Sequence, residues 1–178
     1  MNDSYRLTVL KRLCEHVEQT QIDPDDSSIT LPTYRGRMIF GDDESLPMVS
    51  IIESTKPDTG NYAGTNGEDR STFWPLIIQG WARNDTDNPS DPAYQLMAAV
   101  EAQLYKIIEI DNHGDPVNSQ AYLLGNGGQG RTHLIASLRY GPGVVSPPRE
   151  QVSSQAFFFL PVWVQLVEKM GQPYFVNA

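Results

Sequence analysis

Residues 73–110, FWPLIIQGWARNDTDNPSDPAYQLMAAVEAQLYKIIEI, constrain the fold more than any other part of the chain. In the first part, Trp74, Leu76, Ile78, Gly80 and Ala82 fall on one side. That is the period of two expected of a strand with one face buried. Beyond a polar loop, Met97, Val100, Leu104 and Ile107 recur at helical steps, and Ile108 widens the stripe. The spacing predicts a helix over 91–110, capped by Ser90 or Asp91, with Pro92 in the first turn and a stop at residues 112–114. Strand and helix should cover each other, with Gly80 and Ala82 small enough to admit a close helix. The strand's other side carries Phe73, Ile77, Trp81 and Arg83. It needs its own cover, either the long loop 54–71 or a neighbouring subunit.

The remaining segments set the fold class. Residues 4–19 read as a helix capped by Ser4 or Asp3, with Leu7, Leu10, Cys14 and Val17 on one stripe and Leu13 beside it. Strands are predicted at 34–40, 47–53, 73–83 and 132–140, with a short one at 121–124. A last strand runs over 156–168, AFFFLPVWVQLVE. In it Phe158, Leu160, Val162, Val164 and Leu166 line one face, and Phe157, Phe159 and Trp163 make the other apolar too. Pro161 cannot donate to a ladder, which predicts an edge or a bulge. Strands joined without intervening helices pair antiparallel. The expectation is an α+β fold, a mostly antiparallel sheet with two main helices packed on one face. At 178 residues the chain fits one domain, 1–178, with long loops at 54–71 and 141–154.

Composition narrows the function classes. A net charge of -9 lacks the basic footprint of a protein that grips nucleic-acid phosphates. The most apolar run, 156–164, is far shorter than the roughly 20 residues a membrane helix needs. No signal peptide is predicted at the N-terminus. Cys14 lies on a helix stripe and reads as a small buried hydrophobe.

The motifs that suggest chemistry each fail on their neighbours. The glycine run 125–130 precedes a strand and lacks the Lys-Ser/Thr of a phosphate loop. Asp85, Asp87 and Asp91 superficially suggest a calcium loop, but Ser90 and Leu96 stand where Gly and Glu belong. These aspartates read as turn and cap residues. His16, His113 and His133 share no ligand spacing with one another or with Cys14. Catalytic, metal and cofactor residues are therefore predicted as none. What remains is apolar surplus. Trp81, Phe157, Phe159 and Trp163, with Arg83 and Arg139 nearby, match the composition of subunit interfaces. We expect a homo-oligomer.

This layout resembles the tail terminator (tail completion) proteins of long-tailed bacteriophages, of the minor tail protein U type. The matching parts begin with the helix of Arg6, Leu7, Leu10 and Leu13, the Tyr34-Arg35-Gly36-Arg37 strand, and Leu46-Pro47-Met48-Val49-Ser50-Ile51. The apolar strand over 76–81, Asp91-Pro92-Ala93 opening the long helix, a strand ending Leu138-Arg139-Tyr140, and the final apolar strand complete it. The resemblance implies a structural virion protein, not an enzyme, that assembles as a hexameric ring without cofactor. The ring would cap the head-proximal end of the tail tube, stop its polymerisation and dock to the head or neck. Its partners would be further copies, the tail tube protein and a connector or neck protein, with DNA only passing through the lumen. A head–tail connector or head-completion subunit is the alternative. An enzyme or small-ligand domain built around the 125–130 glycines and His133 is a third reading.

Overall fold

The computed structural model describes residues 2–23, 30–38, 40, 44–54, 69–108, 123–128, 132–148, 153–169, 171–172 and 174–175. The order is α1 (Tyr5–Glu18), β1 (Thr33–Arg35), β2 (Met48–Glu53), β3 (Asp69–Ala82), α2 (Asp91–Tyr105), β4 (Ser137–Tyr140), β5 (Val144–Ser146) and β6 (Ala156–Lys169). The strands form one sheet in the order β1-β2-β3-β6-β4, with β5 also on β6. Among the described residues, β1 and β2 run parallel and every other pairing of these strands is antiparallel. This is the expected α+β architecture.

The two long strands β3 and β6 make the centre of the sheet and pair along their full length, from Asp69↔Lys169 to Ala82↔Ala156. Their even-numbered residues face the helices. Trp74, Leu76, Ile78 and Ala82 pack there with Phe158, Leu160, Val162, Val164 and Leu166, all buried. From α1, Val9, Leu13 and Val17 join this core, and from α2, Leu96, Val100 and Leu104, with Ile107 just beyond. Tyr5 opens the α1 stripe, whereas Leu7, expected on it, is largely exposed. The inward face is set by Tyr5, Val9, Leu13 and His16/Val17, which recur every three to four residues.

Several boundaries differ from expectation for identifiable reasons. Gly36, at φ 66°, ends β1 after three residues where a strand to residue 40 was expected. Residues 132–135 alternate but do not extend β4, whereas Ala136 still donates its N–H to the Gln165 carbonyl of β6. Leu134 donates its N–H to the Gly125 carbonyl and Ile135 donates to the Leu123 carbonyl, so neighbouring groups engage a turn rather than a ladder. Of the expected strand at 121–124, Leu123 and Leu124 instead occupy that turn at positive φ, and 121–122 lie outside the described residues. Gly80 does not make room for a helix. A Cβ there would stand 2.2 Å from Cε1 of Phe158, its partner on β6, so the missing side chain seats that ring. The α2 N-cap is Ser90, without a side-chain bond. Asp85 is the turn former: its Oδ1 accepts from the N–H groups of Asp87 and Asn88 at 2.8 and 2.7 Å.

Pro161 does not mark an edge, because β6 is paired on both sides, but it does lie at a bulge: between Tyr140↔Val162 and Val144↔Phe159 the β4–β5 side carries three residues against two on β6. Along an antiparallel strand, a residue's N–H and C=O point to the same neighbour. The Pro161 carbonyl accepts from Gly141 on the β4–β5 side. Its missing N–H therefore faces the gap where β4, ending opposite Val162, gives way to β5, starting opposite Phe159. Pro75 in β3 follows the same rule. Its carbonyl accepts from Ser54, one residue past the end of β2.

Two side-chain networks tie the helices down. In α1 and α2, the His16 Nε2 donates to the Gln103 carbonyl at 2.7 Å, and Gln103 Nε2 donates to the His16 carbonyl at 2.9 Å. A carbonyl only accepts, so Nε2 carries the proton of a neutral ring. Burial lowers the His16 pKa from its ordinary 6.5, and the Lys106 charge adds to this against the opposing Gln103 bond. At the other end of α1, Arg6 grips Glu168 of β6 with two bonds of 3.2 and 3.1 Å, and Arg70 of β3 adds one of 2.7 Å. Burial pushes the Glu168 carboxyl up, but the two arginines more than offset this and hold it below its ordinary range.

Candidate interaction face

The odd-numbered residues of β3 and β6 point away from the helices. Their register places Gln79 beside Phe159, Ile77 beside Pro161, Pro75 beside Trp163 and Phe73 beside Gln165. On the outer side of β6, Val144 adjoins Phe159 and Arg139 adjoins Trp163. Phe159, Trp163 and Val144 are 39%, 38% and 64% exposed. The Arg139 guanidinium lies over the Phe73 ring, 5.8 Å from its centre. Aromatic and aliphatic side chains thus share an open sheet face with a cation.

One end of this face is closed by the chain itself. Trp81, Phe157 and Met48 form a second buried cluster, overlaid by Tyr34, Phe40 and Leu46. The Phe40 and Trp81 rings sit 4.4 Å apart. Arg37 stacks 4.7 Å over both Tyr34 and Phe40 and pairs with Glu44. This corrects the expectation for Trp81 and Phe157. They are 7% and 4% exposed, packed under Tyr34, Phe40 and Leu46 of the same chain, and need no subunit to hide them. Their hydrophobicity gave no hint of a local cover, because Phe40 and Leu46 are close in space only once β1 lies beside β2. Residues 55–68, which hold most of the other expected cover, lie outside the described residues.

The six residues expected at subunit contacts therefore separate. Phe159, Trp163 and Arg139 meet on the open face. Trp81 and Phe157 belong to the buried end. Arg83 lies past the end of β3 and lines a different feature, an open cleft of about 350 Å³ between that strand end and the start of α2. The cleft also holds Asn84, Asp85, Gln95 and Leu96, and its described lining contains no His, Cys, Ser or Lys. Sequence reasoning missed Val144, which it placed in a loop. It also missed the outer face of α2, where Tyr94 and Tyr105 are large and exposed. The signal for the latter was present: the helix has apolar or small residues on every side.

The residues considered for chemistry fall in structural settings. Cys14 is buried, with Sγ 3.6 Å from the Tyr34 carbonyl, and burial pushes its pKa up to about 12. Gly125 is brought close to His133 through the Leu134–Gly125 bond, but the cleft lies elsewhere. Among the described residues, no three His, Cys, Asp or Glu are placed to hold a metal ion. His113 lies outside the described residues. Among the described residues, no helix is long and apolar enough to cross a membrane. No protein-family model matches the chain, and no curated protein matches it.

Proposed function

We propose that the chain is the subunit of a homo-oligomeric ring that caps the head-proximal end of a bacteriophage tail tube, halts its growth and docks to the head or neck. The observation that carries this reading is the open sheet face. It keeps Phe159, Trp163 and Val144 in water beside Arg139, and large contiguous apolar patches mark contact surfaces. Interfaces enrich aromatics and arginine at their centre. The charge of -9 per subunit also suits a lumen through which DNA slides without being gripped.

The test mixes the purified chain with polymerising tail tube protein and reads tube ends by electron microscopy, with sedimentation of the chain alone. The expected result is a ring on one end of each tube and arrested elongation. Tubes that grow unchecked with bare ends would refute the reading. Binding to emptied heads and not to tubes would move the subunit to the head side of the joint.

A further inference from the structure

We propose that the open sheet face receives helix α2 of a second copy, front to back. The proposal rests on the homo-oligomer in the reading above and specifies its contact. Two surfaces with large exposed side chains lie on opposite sides of the same molecule. One is the sheet face around Phe159, Trp163, Val144 and Arg139. The other is the outer side of α2, where Tyr94, Ala98 and Tyr105 are exposed at helical spacing, the two tyrosines 55% and 46%, with half-buried Glu101 on its flank toward Tyr140.

The two surfaces match in size, shape and charge. A helix of 15 residues is about 22 Å long. From Gln79 to Phe73 the uncapped part of β3 spans about 20 Å at strand rise. Ala98 is small and exposed between the two tyrosines, which would leave room for Trp163 or Phe159 of the other copy. Arg139 on the sheet face meets the carboxylate of Glu101. Within one chain these two charges are kept apart, since Arg139 faces away from the helices while Glu101 acts on Tyr140, its neighbour on the other side of β4. Docking would cover both faces of β6, whose apolar residues point both ways. It would also cover the exposed tyrosines of α2. A contact between two different surfaces is head-to-tail, and repeated it closes into a ring or continues as a filament.

The test uses the full chain with Ala98→Cys and Val144→Cys together, treated with a short bismaleimide at high protein concentration. Cys14, buried and with a raised pKa, stays silent. The expected product is a ladder of dimers, trimers and larger species from the double variant, while each single variant stays uncrosslinked. An absent ladder, or dimers from a single variant, would overturn the docking. Charge reversal gives a second readout that does not need cysteines. Arg139→Glu or Glu101→Arg alone should raise the concentration for half-assembly about tenfold, and the two together should restore it. Additive losses in the pair would overturn the contact. Tube capping by the wild type without a ladder would reject this geometry alone. A ladder without tube capping would reject the tail role and leave the docking standing.

Discussion

Replacing Gly80 with alanine tests the packing at the centre of the sheet. The added Cβ would lie 2.2 Å from Cε1 and 2.6 Å from Cζ of Phe158. Carbon atoms in contact sit at roughly 3.5–4.0 Å, so the ring must retreat by more than about 1 Å. It has no room to do so, because Phe158 is fully buried and is held at its own backbone by pairing to Gly80 itself. Overpacking of this kind costs about 1–3 kcal/mol. Restricting the unfolded chain gives back about 0.4–1 kcal/mol. We expect Gly80→Ala to destabilise by about 1–2 kcal/mol, read as a lower urea midpoint with unchanged slope. At this chain length that lowers the melting temperature by about 2–8 °C. Phe158→Leu removes the ring and opens a cavity, so alone it also destabilises. Combined with Gly80→Ala, the two should cost less than their sum, since the added methyl occupies space the ring vacates. A neutral or stabilising Gly80→Ala, or strict additivity with Phe158→Leu, would refute the account.

Three further outcomes follow from the same reasoning. Glu168→Gln should cost about 1 kcal/mol at neutral pH, modest because both arginines remain partly in water. The folded carboxyl has a lowered pKa, so its stabilisation is full above about 4.5 and lost as the pH falls through the folded value. Urea titrations should show wild type and variant converging below that pH. For His16, burial keeps the folded ring neutral where the unfolded one already binds a proton. Stability should therefore fall as the pH drops below about 6.5 and level off once the folded ring also protonates. His16→Asn should remove that part of the slope between pH 7.5 and 5.5, on the order of the range where histidine titrates. Trp81→Ala should destabilise the folded chain by about 3–5 kcal/mol without shifting the concentration of half-assembly. Trp163→Ala should do the reverse, as measured by chemical denaturation and sedimentation.

The sequence by itself determined the class of fold and the inner face of the sheet. The period of two in β3 and β6 grouped Trp74, Leu76 and Ile78 on one face and Phe158, Leu160, Val162, Val164 and Leu166 on another, the faces that meet the helices, because a strand has only two sides. It also identified Cys14 as buried and Asp85 as a turn former, both local consequences of periodicity and side-chain length. Only the tertiary structure decided what lies over the second face. Trp81 and Trp163 have the same residue type, strand setting and side of the sheet. One is closed by Phe40 and Leu46, and the other is 38% exposed, because among the described residues the chain after β1 packs on the Trp81 end. Pro161 shows the same limit. Its missing donor was visible in the sequence, but the place where that absence costs nothing exists only where β4 ends and β5 begins. Local pattern specifies which atoms must be buried or satisfied. The partner that does so comes from residues distant in the chain, and for the open face we infer that it comes from another copy.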